Sequence, residues 1–444
     1  MNGRTLYAFM GGGPVGRFTE TGDATATFEY LDGYAGTPVS LSLRPGSPHS
    51  PDAPFNYLDN LLPDNLDTRK RLAQINHTAP DVFSLLAVLG EDVAGAVTLS
   101  EDEQIHERTP VEPRHATDDD IAFWVSTLKH DPTAPPPEWM HTRWSLAGQQ
   151  AKFSLADIAG RWYWSTYETP STHIFKPEWE QHRKAERAEY VCLQLAGEAG
   201  LPATDATIQS FVGQSALAVK RWDRGGPFGR LHAEDLTQAL GIPGKDKYEV
   251  PTDAIVNLLR PLNLEWPFIE QMLFNMAIGN VDAHAKNYTL LLSGTDAVLA
   301  PIYDTVPIFL WPQYPQTPVV FLNEPRAGWS VDSETDWLMF AHQCGLDPHR
   351  MMETMRATFR FVVERLPDAF AGEGFEPADK DLAARFVDTH LRRFVPKPVP
   401  TRHPLAVADE QLRPGTRFTS DPASAKDRDR WPEPNLDQGR GLSL

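Results

Sequence analysis

The sequence predicts an α+β fold with a β-rich first half and a mainly α-helical second half. Short stretches of alternating apolar and polar residues, separated by Gly and Pro, dominate up to about residue 232, and such alternation indicates strands with one buried face. From about residue 233 onward, apolar residues recur with the spacing of amphipathic helices. With 444 residues, 41% of them hydrophobic, the chain can bury a core divided among two or three domains.

We expect residues 1–105 to form a β-rich, barrel-like subdomain. Alternating stretches predict strands at 26–30 and 38–43, a helical insert is expected near 64–74, and an apolar strand at 93–99 ends the region. The glycine-rich run at 11–16 predicts a hairpin turn. It is a poor phosphate-binding loop, because Pro14 lacks an N–H donor and no helix pattern follows.

We expect residues 106–232 to form a second domain, in which a linker containing Pro110 and Pro113 is followed by a β-rich unit at 143–222. Strands are predicted at 162–167 and 173–176, joined by a turn at 168–170. A helix at 181–199 ending at Gly200, and then a strand at 216–221, complete the expected unit.

We expect residues 233–395 to form a helical lobe. The helix at 267–278 has Pro267 in its first turn and Gly279 directly after its end. Two strands at 288–292 and 297–300, joined by a Ser-Gly turn, precede helices at 334–366 and 378–394. The segment 396–444 is rich in Pro, Asp, Arg and Gly with few apolar anchors, so a disordered tail is expected.

The composition disfavours several classes of protein. The chain has 41 basic and 60 acidic residues, a net charge of -19, whereas direct DNA binders cluster Lys and Arg on one surface. The two cysteines, Cys192 and Cys344, have no C-x-x-C spacing, so neither a disulfide framework nor a zinc-thiolate site is expected. Without a signal-peptide pattern or an apolar run of about 18 residues, we expect a soluble cytoplasmic protein with no membrane contact.

The segment after Gly279 contains the most informative spacing in the chain. Asp282 is followed five positions later by Asn287, and Asp304 comes after the predicted hairpin. Protein kinases use a catalytic-loop Asp, an Asn five positions on and a later Asp, the last two holding Mg²⁺ beside the ATP phosphates. Oxygen-bearing side chains of this kind are the ligands that Mg²⁺ prefers.

The same residues allow two other interpretations. Asp282 and Asn287 could cap turns, with Asp304 starting a loop, since Asp and Asn are common in such positions. Alternatively, Asp282, His284 and Asp304 could bind the metal of a phosphohydrolase. A D-x-x-x-x-N spacing alone does not decide between these readings.

Two upstream segments could contact phosphates. Lys176 lies at the end of a predicted strand, ahead of a helix containing Glu186 and Glu189; kinases pair a strand lysine with a helix glutamate. Glu189 is the preferred partner, although the spacing leaves Glu186 open. The segment 145–152 could cover a phosphate with backbone N–H groups and Lys152, but with a single Gly a simple turn is the alternative.

Together these motifs resemble the HipA family of bacterial kinase toxins. The resemblance extends from about residue 50 to 395 and rests on segments in a fixed order: LLPDN (61–65), GEDVAGA (90–96), SLAGQQAK (145–152), THIFKP (172–177), KRWDR (220–224), EDLTQ (234–238), KYE (247–249) and GNVDAHAKN (279–287). It implies a two-lobed, protein-kinase-like fold with an added N-terminal subdomain. The implied activity is ATP- and Mg²⁺-dependent phosphorylation of a serine on a protein target.

The resemblance also implies roles for individual residues. Asp282 would be the catalytic base, Asn287 and Asp304 the Mg²⁺ ligands and Lys176 the phosphate-binding lysine, with His284 beside them in the catalytic loop. Ser145 corresponds to the serine that the family autophosphorylates, which ejects the phosphate loop. The residues implied around the nucleotide are Ser145, Ala147, Gly148, Gln150, Lys152, Lys176, Lys220, Trp222, Asp223 and Lys286.

The resemblance implies partners as well. The family's protein substrates include aminoacyl-tRNA synthetases, and its antitoxin is a HipB-like helix-turn-helix protein, so this chain would reach DNA only indirectly. Trp222 stands where Phe is usual, and Lys220 stands where the best-known member of the family has an acid. A catalytically silent module that binds an antitoxin, and less favourably a metal-dependent phosphohydrolase, remain alternatives to the kinase.

Overall fold

The fold of the computed structural model is α+β, as predicted. The structure describes residues 3–134, 151–178, 182–225, 229–314 and 333–395. The predicted tail at 396–444 lies outside these ranges. Of the helices in the described ranges, none is long and apolar enough to cross a membrane.

The N-terminal part contains a four-stranded antiparallel sheet and three helices. Its elements are β1 (Thr5–Met10), β2 (Gly13–Gly22), β3 (Thr25–Tyr30), α1 (Ala53–Asn60), α2 (Leu66–Ile75), α3 (Val82–Leu89) and β4 (Thr98–Ser100), with strand order β3-β2-β1-β4. The alternating side chains of the strands and the apolar faces of the helices share one core, which includes Phe18, Tyr57 and Leu86. The predicted hairpin at Gly11 and strand near 26–30 are confirmed.

The strand predicted at 38–43 is wrong. The segment Leu41–Leu43 is a 3-10 turn, which begins where the Ser40 hydroxyl accepts a hydrogen bond from the Ser42 N–H. Ser40 is fully buried and its hydroxyl donates to Glu234. This contact with a distant segment, and not a neighbouring strand, satisfies the local polar groups. The strand predicted at 93–99 is also too long, since β4 begins at Thr98.

The second part is built on a five-stranded antiparallel sheet. Its elements are α4 (Asp118–His130), β5 (Phe153–Ile158), β6 (Arg161–Tyr163), β7 (His173–Lys176), α5 (Ala185–Glu198), β8 (Ala206–Phe211) and β9 (Gln214–Lys220), with strand order β6-β5-β7-β9-β8. The strand predicted at 173–176 is confirmed, whereas the one predicted at 162–167 is too long because β6 ends at Tyr163; β5 lies between the two in the sheet. Helix α4 was not predicted, although Thr117 and Asp120 form a capping box at its start.

The C-terminal part is mainly helical. Its elements are β10 (His232–Asp235), α6 (Leu236–Leu240), α7 (Thr252–Leu259), α8 (Glu265–Ile278), β11 (Thr289–Ser293), β12 (Asp296–Leu299), α9 (Glu334–Gln343), α10 (Pro348–Ala369) and α11 (Pro377–His390). The core surrounds α8, which packs against α10. Strands β10, β11 and β12 form an antiparallel sheet, of which β10 was not predicted.

Candidate active site

The loop that carries Asp282 begins where α8 ends. Gly279 has a left-handed backbone with φ of +80°, which glycine adopts without steric cost, and this conformation ends the helix. The next residue, Asn280, is buried and donates from Nδ2 to Asn275 Oδ1 (2.8 Å) and to the main-chain oxygen of Asp304 (3.2 Å). Its Oδ1 accepts the Asp282 N–H at 3.0 Å. Asn280 therefore fixes Asp282 close to the segment that carries Asp304.

Asp282 and Asn287 are joined within the loop. Asn287 Nδ2 donates to the main-chain oxygen of Asp282 at 2.7 Å, and the turn between them is a 3-10 helix, Ala285–Asn287. The Asp282 carboxylate accepts a hydrogen bond from the Tyr248 hydroxyl. Partial burial of the carboxylate and the negative charge of Asp304 raise the pKa of Asp282, although 65% of its side chain is exposed. The carboxylate can therefore both be reached from outside and accept a proton.

Lys176 connects two carboxylates in the interior of the site. Its Nζ donates to Glu189 Oε1 at 2.6 Å and to Asp304 Oδ1 at 2.8 Å. Burial opposes the charge, but Asp304 and Glu189 together raise the pKa of Lys176 above its usual value, so the ammonium stays charged. Glu186 instead accepts from Ser215 Oγ at 2.6 Å. The structure thus resolves the choice that the sequence left open in favour of Glu189.

Asp304 has two unusual properties. Its backbone φ is +53°, a left-handed conformation that is uncommon for residues other than glycine and is often found at functional sites. Burial acts against its charge, but Lys176 and next Lys152 hold the pKa of Asp304 well below its usual range. Asp304 is therefore an anion over the whole physiological range.

His284 is neutral in this environment. Burial, and next the charge of Lys247, lower the pKa of His284 to about 3. Its Nε2 lies 3.9 Å from Asp282 Oδ1. Because the imidazole is neutral at neutral pH, the two residues do not form an ion pair there. The Tyr248 ring packs edge-on against the imidazole, with centroids 5.0 Å apart.

The residues predicted around the nucleotide differ in their surroundings. Trp222 packs against Tyr303, with ring centroids 5.5 Å apart. Lys220 is 61% exposed and its Nζ lies 3.6 Å from an Asp205 carboxylate oxygen. Asp223 is buried, and its carboxylate accepts hydrogen bonds from Arg221, Arg224 and the main-chain N–H of Gly95. Its side chain is thus already engaged with the protein.

Most of the predicted site residues line one cavity. Those along its wall are Lys152, Lys176, Lys220, Trp222, Asp223, His284, Lys286, Asn287 and Asp304. Asp282 is not among these lining residues, but its main-chain oxygen accepts a hydrogen bond from Asn287, which is among them. The predicted Ser145, Ala147, Gly148 and Gln150 lie outside the described residues. Within the described ranges, no group of three or more His, Cys, Asp or Glu side chains is arranged to hold a metal, so Asp282, His284 and Asp304 do not form the trio that a phosphohydrolase reading requires.

Three residues of the site were not predicted to belong to it. Asn280 holds the loop, Tyr248 contacts Asp282, and Asp64 lines the cavity. Each lies inside one of the segments that carried the family resemblance, and that position was the available signal. Their contacts could not be read from the sequence, because Asp64 and Tyr248 reach the loop from distant parts of the chain.

Comparison with known proteins supports one family. The model of the HipA N-terminal domain matches residues 6–100, and the model of the HipA-like C-terminal domain matches residues 144–366. The putative kinase Y4mE of Sinorhizobium fredii is 30% identical over 78% of this chain and 87% of its own length. The serine/threonine-protein kinase toxin HipA of Shewanella oneidensis is 27% identical over 76% of this chain and 84% of its own.

The fold has a counterpart among solved structures. A HipA chain in the Shewanella oneidensis complex of HipA, HipB and operator DNA superposes with a TM-score of 0.71 at 22% identity, covering 88% of this chain and 96% of that one. At this identity the match shows the fold, and it confirms the predicted two-lobed architecture with an added N-terminal subdomain. Taken with the family models and the sequence relatives, it shows that the chain belongs to the HipA family of kinases.

Proposed function

We propose that the chain transfers the γ-phosphoryl group of ATP to a serine of a protein target and to its own Ser145. The observation that carries this proposal is the position of Lys176, bound to both Glu189 and Asp304 on the wall of the cavity that Asn287 also lines. Kinases require this lysine–glutamate pair beside the metal-binding Asp. A structural ion pair alone would not require Asp282 and Asn287 next to it.

The residues have separate roles in the transfer. Lys176 is a fixed cation for the phosphates of ATP, and Asp282 accepts the proton of the attacking serine hydroxyl. A bond forms between the serine oxygen and the γ-phosphorus while the bond to the β-phosphate oxygen breaks, and ADP leaves with that electron pair. The raised pKa of Asp282 strengthens it as a proton acceptor.

Asn287 and Asp304 supply the oxygen donors expected for Mg²⁺. Asn287 uses its amide nitrogen to bond Asp282, so its amide oxygen is the donor atom, while Asp304 is an anion. Mg²⁺ is usually held by one or two such side chains together with substrate phosphates and water, so a larger protein cage is not required. Bound there, the ion would neutralise charge on the phosphates.

The remaining cavity residues fit the nucleotide. Lys152 and Lys286 add positive charge, and the neutral imidazole of His284 offers a hydrogen bond without adding charge. Trp222 presents an aromatic surface, with Lys220 and Asp223 beside it. We assign Lys152, Lys220, Trp222, Asp223 and Lys286 to ATP binding, together with the predicted 145–150 segment.

The proposed biological role is that of the toxin in a toxin–antitoxin pair. The partner would be a HipB-like helix-turn-helix protein, and an acidic chain of net charge -19 would contact DNA only through it. This role is supported by the family membership and by the named HipA–HipB–DNA complex of similar fold. An aminoacyl-tRNA synthetase is the proposed class of target, and the cytoplasm the proposed compartment.

Labelling with [γ-³²P]ATP tests the activity. The purified chain with Mg²⁺ should label itself, and Asp282→Asn should abolish labelling because the base is lost. Asp296→Asn, an exposed Asp at the start of β12, is the matched control and should label like the parent. Equal labelling of the parent and Asp282→Asn would remove Asp282 from the mechanism. A parent that neither labels nor binds Mg·ATP in calorimetry would favour an antitoxin-binding module without catalysis.

A further inference from the structure

We propose that Asp64, in the N-terminal part of the chain, is a positioning residue of the active site that holds Lys286 and, through it, the catalytic loop 280–287. This inference rests on the proposed kinase function and adds to it a requirement for the N-terminal part. Asp64 lies between α1 and α2, just before Asn65, which caps α2. It lines the cavity, together with Asn60 and Leu61 from the same part of the chain.

Asp64 joins two lysines that come from different segments. Its Oδ1 lies 2.8 Å from Lys286 Nζ and its Oδ2 lies 2.7 Å from Lys247 Nζ. The exposed fractions of the Asp64, Lys286 and Lys247 side chains are only 15%, 4% and 6%. Lys286 Nζ also donates to the main-chain oxygen of Asn60 at 3.3 Å. Because these groups are shielded from water, their charges interact strongly.

The charges of this cluster fit a phosphate-binding wall. Burial acts against the charge, but Lys286 and Lys247 lower the pKa of Asp64 to about 2, so the carboxylate is ionised at neutral pH. Two ammonium groups and one carboxylate leave a net charge of one positive unit. Asp64 therefore keeps two like charges together and fixes their directions, while the cluster as a whole still attracts an anion.

Two sets of contacts restrain the catalytic loop: one is made to Lys286 in the loop and the other to the segment that contains Lys247. Lys286 directly precedes Asn287, and the Ala285 N–H donates to the main-chain oxygen of Lys247 at 3.1 Å. Tyr248, the residue after Lys247, donates its hydroxyl hydrogen bond to Asp282. Asp64 is thus bonded to the loop itself and to the segment that packs against it. Loss of its charge should loosen the positions of Asp282 and Asn287 together.

If Asp64 had only a structural role, it would attach the N-terminal part to the rest of the chain without affecting the loop. Asn56 provides a control for that case. Asn56, on α1, donates from Nδ2 to the main-chain oxygen of Gly241 at 2.8 Å. This buried bond also joins the N-terminal part to the helical part. It involves neither the loop nor the cavity wall, so Asn56→Ala weakens the attachment alone.

The experiment compares Asp64→Asn, Asp64→Glu and Asn56→Ala in the full chain. Self-labelling kinetics should show that Asp64→Asn loses on the order of 10²-fold in kcat, the typical cost of misplaced catalytic groups, with a smaller change in KM because Lys176 still binds the phosphates. Asp64→Glu should recover part of the rate. Asn56→Ala should lower the thermal midpoint and keep the parent's kcat.

Hydrogen exchange provides a readout that does not depend on activity. Amides of residues 280–288 should exchange faster in Asp64→Asn than in the parent or in Asn56→Ala. Unchanged exchange in this loop, or equal loss of kcat in Asp64→Asn and Asn56→Ala, overturns the positioning role. A parent that fails to label would refute the proposed function, whereas the exchange comparison would still decide whether Asp64 holds the loop.

Discussion

Lys176 Nζ lies 2.6 Å from Glu189 Oε1, and both side chains are almost completely buried. The lysine comes from β7 and the glutamate from α5, so this bond fixes the helix against the sheet at the cavity wall. An isolated buried ammonium would be strongly destabilising. With Glu189 and Asp304 beside it, Lys176 is a charged group whose position is set before any ligand arrives.

Glu189→Gln should therefore impair phosphoryl transfer. The amide keeps the shape of the side chain but removes its charge, leaving Lys176 drawn toward Asp304 alone. We expect a loss of roughly 10- to 100-fold in the labelling rate and a decrease of up to about 3 kcal/mol in the free energy of unfolding. Initial rates of self-labelling and urea denaturation measure the two effects.

Glu186→Gln is the matched control for that change. Glu186 is also buried on α5, one turn earlier, but its carboxyl accepts a hydrogen bond from the Ser215 hydroxyl and not from the Lys176 ammonium group. A neutral amide should be tolerated there, so neither rate nor stability should decrease markedly. Equal losses in the two variants would mean that Glu189 acts only through packing of the helix.

Asn287→Ala should change the dependence on magnesium. The variant removes both the amide oxygen proposed to bind Mg²⁺ and the bond to the Asp282 main chain. We expect the Mg²⁺ concentration for half-maximal labelling to rise at least about tenfold, a typical effect of weakening a metal site. The exposed Asn257 on α7 is the control, and Asn257→Ala should not change it. A lower maximal rate with unaltered Mg²⁺ dependence would contradict the ligand assignment.

Glu234 should make stability depend on pH. Its carboxylate accepts from Ser40 Oγ at 2.5 Å and from the Leu41 N–H at 2.8 Å, and burial raises the pKa of Glu234 from 4.5 to about 8. The folded state thus binds this proton more tightly than the unfolded state does. The resulting stability is present below pH 4.5 and is lost as the pH rises toward 8.

Urea unfolding of the parent and Glu234→Gln across that window measures the effect. The parent's free energy of unfolding should fall, relative to the variant's, by at most about 1.4 kcal/mol per pH unit. The comparison with the variant is needed because of His232. Burial lowers the pKa of His232 to about 4, so its contribution to the free energy of unfolding increases as the pH rises. Parallel pH curves for the two proteins would show that Glu234 ionises normally.

The conformation of the loop 279–287 could be predicted from the sequence because its signals are local. Gly279 after an apolar helix marks a helix end, and the spacing from Asp282 to Asn287 carries a defined chemistry. The structure brings these residues together, with Asn287 Nδ2 donating a hydrogen bond to the main-chain oxygen of Asp282, and their catalytic roles stay predictions. Such features depend on neighbours in the chain, which a single sequence displays directly.

The interactions that sequence reasoning could not supply are long-range. Asp64 and Lys286 are 222 positions apart, and no periodicity or turn rule relates them. Strand β10 was missed for a similar reason: Glu234 on it is buried because it accepts hydrogen bonds from Ser40 and Leu41, so the strand lacks the alternating apolar pattern that predicts strands. By contrast, α4 could have been predicted from its capping box at Thr117, had the preceding prolines not suggested a linker.

Gly279→Ala should destabilise the chain more than Gly294→Ala. Both glycines have a left-handed backbone, with φ of +80° and +60°, which costs an alanine about 1–2 kcal/mol. At Gly294, in the turn between β11 and β12, a Cβ would meet nothing within 4 Å, whereas at Gly279 it would lie 2.8 Å from Phe386 Cζ. Overpacking of this kind adds about 1–3 kcal/mol.

Urea denaturation and self-labelling of both variants test the difference. Gly279→Ala should also slow labelling, because displacement of Phe386 or of the end of α8 shifts the loop that begins at Asn280, whereas Gly294→Ala should label like the parent. Equal losses of unfolding free energy would mean that Phe386 on α11 moves aside freely. In that case α11 would not restrain the position of the catalytic loop, and the rate of Gly279→Ala should equal that of the parent.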